Sequence, residues 1–183
     1  VQMSRMHCKS FPSPVPASTC LHVRRAAAVE SRAHAAAAQA QLIGQVLDRA
    51  GSGSISNVIK GVDYVTRNSA SIEVANMSLG GGYNPSIDTA IRNAADQGIR
   101  FVVAAGNSGQ DADGFSPASA GNHPNVYTIS AVDSTYKMAS FSNWDLVNSL
   151  DTVDNVDFAA PGVGVLSYYK NGQLTNLSGT SMA

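Results

Sequence analysis

Asn107 and Ser181 are the two side chains of this 183-residue chain whose settings suit acyl-transfer chemistry. Asn107 lies in the stretch Ile99–Gly109, where the apolar run Phe101 to Ala104 gives way to Ala105, Gly106 and then the carboxamide. Ala105 and Gly106 carry almost no side chain, so a ligand can approach the backbone there. The carboxyl edge of a buried strand is also where open α/β sheets bind ligands. Ser181 belongs to Gly179-Thr180-Ser181-Met182-Ala183, shortly after the strand-like Leu174 to Leu177. A serine at a strand-to-helix turn presents its hydroxyl to a cleft, with free backbone N–H groups favouring negative charge beside it. Acyl transfer needs such a hydroxyl and donors aimed at the developing oxyanion, and an Asn carboxamide with the nucleophile's own N–H supplies both donors. Taken singly, each residue has a plainer reading: a Gly-Asn turn for Asn107 and a helix N-cap for Ser181.

The elements that must position these residues are legible from hydrophobic period. Gln41 to Asp48 reads as a strand, and Ser52 or Ser54 then caps a helix whose Ile55, Val58, Ile59, Val62 and Val65 share one face. Ile72 to Met77 is the next strand and runs into Ser78-Leu79-Gly80-Gly81-Gly82. Asn84-Pro85 opens a second helix, with Ile87, Ala90, Ile91 and Ala94 inward and Gly98 at its end. The strand at Phe101 follows directly. This alternation at short intervals predicts right-handed crossovers and an α/β fold in which helices cover a parallel sheet. Beyond Gly109, Gly114 to Pro124 reads as loop, Val126 to Val132 as a strand and Phe141 to Asp154 as a polar excursion. Val156 to Ala160 reads as a strand ending at Pro161-Gly162. Val163 to Tyr169 and Leu174 to Leu177 flank Asn171-Gly172, a hairpin signal. Gly51-Ser52-Gly53 has the look of a phosphate cradle, but the third glycine is Ser56 and no acidic ribose ligand follows, so an exposed flexible turn is the better account.

Composition sets the frame. Hydrophobic residues at 44% and charged residues at 14% predict one domain with a real core, and a formal net charge of -1 gives no reason to expect a nucleic-acid partner or a membrane surface. Cys8 and Cys20 are too few for a disulfide framework and lack zinc-site spacing. Residues 1–40 differ from the rest: all 16 glycines lie at Gly44 or later, while this segment holds Pro12, Pro14, Pro16 and an Ala/Arg-rich run. Ala26 to Ala40 is helical by propensity but has no apolar stripe to bury, so an atypical, disordered or misread segment is expected before a folded unit at 41–183.

Five stretches then form an ordered series: Asn76-Met77-Ser78-Leu79-Gly80-Gly81, Ala104-Ala105-Gly106-Asn107-Ser108-Gly109, Phe115-Ser116-Pro117-Ala118-Ser119, Phe158-Ala159-Ala160-Pro161-Gly162 and Ser178-Gly179-Thr180-Ser181-Met182-Ala183. The series resembles the successive motifs of subtilisin-like serine proteases (peptidase S8), above all their proteinase K branch. The resemblance implies a three-layer α/β sandwich around a mostly parallel sheet, truncated here at both ends. It implies a secreted, monomeric serine endopeptidase, made with an N-terminal propeptide, that hydrolyses polypeptides through an acyl-enzyme on Ser181 with Asn107 in the oxyanion hole. By the same resemblance Ser78, Leu79 and Gly80 pair with an extended substrate and wall the S1 pocket, with Ala105 and Gly106 opposite. A structural Ca2+ ion would be held by the carbonyls of Pro124 and Val126 and by Asp157, an all-oxygen set that suits calcium.

The departures concern the base. The family takes the serine proton with a histidine that an aspartate orients. Its HGTHVAG motif would fall near Thr19 or Cys20, yet His22-Val23 is all that matches there, at the motif's second, non-catalytic histidine. The aspartate motif would precede residue 1. The expectation is therefore a fragment that is inactive as written, and the alternative is a non-catalytic relative that binds or inhibits through the same peptide cleft.

Overall fold

The computed structural model describes residues 20–25, 41–48, 51–145, 154–168 and 173–183. In chain order the elements are β1 (Cys20–Arg25), β2 (Gln41–Gln45), α1 (Ile55–Arg67), β3 (Ile72–Met77), β4 (Gly81–Gly82), α2 (Pro85–Ala95), β5 (Arg100–Ala104), β6 (Phe115–Ser116), β7 (Val126–Val132), β8 (Phe158–Pro161), β9 (Val165–Tyr168) and β10 (Leu174–Leu177). Six strands form one sheet in the order β2-β1-β3-β5-β7-β8. The pairs β3–β5, β5–β7 and β7–β8 are parallel. This is the mostly parallel α/β sheet with packed helices that the sequence predicts.

The helices start where their caps dictate. Ser54, not Ser52, caps α1 by accepting the Asn57 N–H at 3.2 Å. Asn84 caps α2 by accepting from the N–H groups of Ser86 and Ile87, and Pro85 takes the first helical position. Val58, Val62 and Val65 of α1 join Ile87, Ile91 and Ala94 of α2 in one core with Ile72, Ala75 and Met77 of β3 and Phe101 and Val103 of β5. Phe101 is fully buried at the centre of this layer. Phe101→Ala should therefore cost about 3–5 kcal/mol of unfolding free energy, read as a lower midpoint in urea at unchanged slope.

One open expectation is resolved and two others need correction. Cys20–Arg25, within the atypical segment for which composition leaves a disordered or misread state and a structured one equally open, forms β1, and β1 runs antiparallel between β2 and β3. The first crossover therefore spans an intervening strand. Gly114 to Pro124 is not plain loop: β6 pairs with β4, and Ala118–Ala120 makes a buried 3₁₀ turn. Gly51-Ser52-Gly53 is a packed turn rather than a flexible one. The Asp48 carboxylate accepts from Ser52 N–H at 3.0 Å, which places negative charge where a phosphate would sit, and a methyl on Gly53 would strike Leu47 and the Val46 carbonyl. The Ala26 to Ala40 stretch and the turn at Asn171-Gly172 lie outside the described residues.

Candidate active site

Parallel strands that share a direction bring their carboxyl ends to one edge, and here that edge carries the chemistry. Leu79 and Gly80 beyond β3, Ala104 to Asn107 at the end of β5, and Thr180 and Ser181 line one cleft of about 480 Å³, together with Phe115, Ser116 and Ala118. Leu79, Gly80, Ala105, Gly106, Asn107 and Ser181 all line this cleft, and Ser78 adjoins it through its contact with Ser181. No charged side chain lines the cleft among the described residues.

Ser181 is buried, and its hydroxyl donates to the Ser78 carbonyl at 3.3 Å. Two backbone contacts seat its turn: Gly179 N–H donates to Gly162 C=O at 2.8 Å and Met182 N–H to Gly179 C=O at 3.0 Å. A methyl group on Gly162 would sit 2.6 Å from the Ala131 Cβ and 2.8 Å from the Gly179 carbonyl, so only glycine lets this turn approach β7.

Asn107 is oriented through its oxygen. Thr180 N–H donates to Asn107 Oδ1 at 2.8 Å and Thr180 Oγ1 donates to it at 3.1 Å. Both acceptor positions of the carboxamide are thereby filled. The Nδ2 donor makes no hydrogen bond to the described residues, which leaves it available to an oxygen arriving in the cleft. Thr180 Oγ1 in turn accepts from Gly106 N–H at 3.1 Å, so the Thr180 hydroxyl ties the nucleophile turn to the oxyanion side.

The sequence reading missed Asn143. It falls in the stretch that reads as a polar excursion, yet it is fully buried. Its Oδ1 accepts from Ser108 N–H at 2.9 Å and Gln110 N–H at 3.3 Å, its Nδ2 donates to Ala105 C=O at 2.9 Å, and its N–H donates to Gly106 C=O at 2.9 Å. Phe141 and Trp144 on either side were the available signal, since flanking aromatics suit a packed segment better than a solvated one.

Pro124, Val126 and Asp157 stand at the opposite edge. Val126 opens β7, and Asp157 precedes β8. Thr128 N–H donates to Asp157 Oδ2 at 2.8 Å, and Asp157 N–H donates to Thr128 C=O at 3.0 Å. Residues two apart on a strand turn their backbone groups the same way, so the Val126 carbonyl faces the Asp157 side as well. Partial burial holds the Asp157 carboxyl above the usual carboxylate range, against the opposing hydrogen bond from Thr128.

His22 lies on β1, in register with Asn76 of β3 and Ile43 of β2. His7 and His34 lie outside the described residues. His123 Nε2 pairs with Asp96 Oδ1 at 3.0 Å, and its Nδ1 accepts from Asn125 N–H, at the edge remote from Ser181.

The fold and its cleft define a class: an α/β protein with a serine-bearing turn set against an asparagine at the carboxyl ends of parallel strands. The pattern of the subtilase family of S8 peptidases matches residues 19–183, and the chain belongs to that family. It is 44% identical over 142 residues to a cuticle-degrading serine protease of Arthrobotrys oligospora, covering 76% of this chain and 32% of that protein. It is 38% identical over 164 residues to proteinase R of Parengyodontium album, covering 86% and 40%. An extracellular serine proteinase of a Thermus species is 45% identical over 141 residues, covering 76% and 32%. A crystal structure of a cold-adapted subtilisin-like serine proteinase superposes with a TM-score of 0.66 at 40% identity, over 76% of this chain and 47% of that one. The chain thus spans about a third to a half of the length of these relatives.

Proposed function

We propose that this chain carries the nucleophile, the oxyanion side and the substrate cleft of a secreted serine endopeptidase. Ser181 is its nucleophile, and Asn107 Nδ2 with the Ser181 N–H receives the oxyanion of the tetrahedral intermediate. The observation that carries this reading is the double occupation of Asn107 Oδ1 by Thr180, which leaves only the donor end of the carboxamide for the cleft. The uncharged wall of Leu79, Ala104, Ala105 and Ala118 suits an apolar substrate side chain, and an extended peptide would pair with Ser78 to Gly80.

Attack requires the Ser181 proton to leave Oγ, where it now bonds the Ser78 carbonyl. His123 is committed to Asp96 and Asn125 and does not serve. Peptide binding without turnover is the second reading, favoured by that same Ser181–Ser78 bond. Incubation with a fluorophosphonate probe, followed by mass spectrometry of the peptide containing Ser181, separates the two. An adduct on Ser181 supports the nucleophile assignment, and none under any condition overturns it.

The second part of the proposal is a structural Ca2+ ion between the amino ends of β7 and β8. The donor set fits: one carboxylate with an elevated proton affinity and carbonyls of Pro124 and Val126, all oxygen. When bound, the ion supplies positive charge that neutralises Asp157 and ties two strands together. At calcium a hundredfold above its dissociation constant the gain is about 2.7 kcal/mol, roughly 5–10 °C in Tm for a chain of this size. EGTA should remove it. In the metal-free protein Asp157 has a raised folded-state pKa, so the contribution of its protonated form is present at acidic pH and is lost as pH rises through that value. Asp157→Asn keeps the acceptor for Thr128 and should raise Tm slightly in EGTA at neutral pH while lowering it in calcium. The same sign in both buffers would refute the site.

A further inference from the structure

We propose that Asn143 is a positioning residue for the oxyanion donor, a role that rests on the reading of Asn107 given above. An asparagine can aim its carboxamide only if the two peptide planes flanking its Cα are fixed, because φ and ψ are the rotations between those planes. Asn143 grips both. Its N–H holds the Gly106 carbonyl, which belongs to the plane before Asn107, and its Oδ1 holds the Ser108 N–H, which belongs to the plane after it. Thr180 then fixes the side chain through Oδ1. The backbone of Asn107 is thus set by one residue and its carboxamide by another.

The rest of the Asn143 carboxamide extends the grip. Nδ2 reaches back to the Ala105 carbonyl and Oδ1 forward to the Gln110 N–H, so one buried side chain spans the whole bend from Ala105 to Gln110. This bend makes no regular ladder of its own, since Gly106 and Gly109 take φ of +108° and +61°. A methyl group on Gly106 would run into the Asn143 carboxamide, so the glycine and the asparagine fit as a pair. The segment carrying Asn143 is itself moored: Ser142 Oγ accepts from Ala131 N–H of β7 at 2.9 Å and donates to Asn143 C=O at 3.0 Å. Asn143 therefore ties the orientation of Asn107 to the rigid sheet, and it touches no substrate.

Two variants of the full chain test this. Asn143→Leu removes every side-chain bond, and Asn143→Asp retains the acceptor for Ser108 and Gln110 but not the donor to Ala105. Each is followed by amide hydrogen exchange and by the rate of fluorophosphonate adduct formation on Ser181 against probe concentration. For Asn143→Leu, exchange at Ser108 and Gln110 should accelerate at least about tenfold while Thr128 and Ser130 in β7 are unchanged. The rate at saturating probe should fall at least about tenfold, with the half-saturating concentration within about threefold, because alignment is lost and the cleft is not. Asn143→Asp should lie between Leu and the unsubstituted chain in exchange at Ser108. Unchanged protection of Ser108 and Gln110 in both variants overturns the proposal, as does a rate that falls only in proportion to the folded fraction. If the unsubstituted chain forms no Ser181 adduct, the nucleophile assignment fails, and the exchange result alone decides whether Asn143 holds the bend.

Discussion

Ser181→Ala is expected to erase all covalent reaction of this chain with a fluorophosphonate, and the reaction it erases is expected to be slow. The hydroxyl is in the cleft beside a free carboxamide donor, so a tetrahedral adduct has its oxyanion site. What the described side chains do not offer is a base at Oγ. Loss of a triad member costs on the order of 10⁴–10⁶ in rate, a magnitude established on the triads of serine proteases including subtilisin, a member of this family. The unsubstituted chain should thus label that much more slowly than an intact subtilase under the same conditions. Rapid labelling, abolished in Ser181→Ala, would show that a histidine such as His22 completes the site. The assignment of Ser181 would then stand and the expected inactivity would not. Labelling that persists in Ser181→Ala would place the reaction elsewhere.

Asn107→Asp is expected to lower the residual rate by a further 10²–10³, roughly the effect found for the oxyanion donor of subtilisin itself. Aspartate is the informative replacement. Its carboxylate still accepts from Thr180 N–H and Oγ1, so the turn that carries Ser181 stays moored. The donor alone is replaced, by an oxygen whose negative charge opposes the developing oxyanion. Binding of an unreactive peptide should change little, because the Leu79 and Ala105 walls are untouched. A variant that loses peptide binding and reactivity together would mean that Asn107 shapes the cleft rather than stabilising the oxyanion.

The sequence was most informative where chemistry and backbone period fall in the same few residues. The limits of β3 and β7 match the apolar and β-branched runs Ile72 to Met77 and Val126 to Val132 residue for residue. Asn84-Pro85 announced the start of α2 because a cap is a local bond. Gln41 to Asp48 overran, since Val46 and Leu47 are buried like strand residues but belong to the turn after β2. Asn143 was illegible for a different reason. Its partners Ala105, Ser108 and Gln110 lie 33–38 positions earlier, and a polar residue reads as exposed until those partners are known. Gly162 is similar, because it reads as the close of a strand, whereas the space it leaves is filled by Gly179. The insertion of β1 between β2 and β3 depends on pairing at long range, which composition does not encode.

The bond from Ser181 to Ser78 joins residues 103 apart, and those from Thr180 to Asn107 join residues 73 apart. Chain closure over such spans is entropically costly, and contacts of this range form late in folding. During synthesis at about 5–20 residues per second, Asn107 is made about 4–15 s before Thr180 exists to orient it. Orienting Asn107 and seating Ser181 therefore both wait on the serine turn, so the two sides of the cleft become one site only after residues from both ends of these long spans have been made.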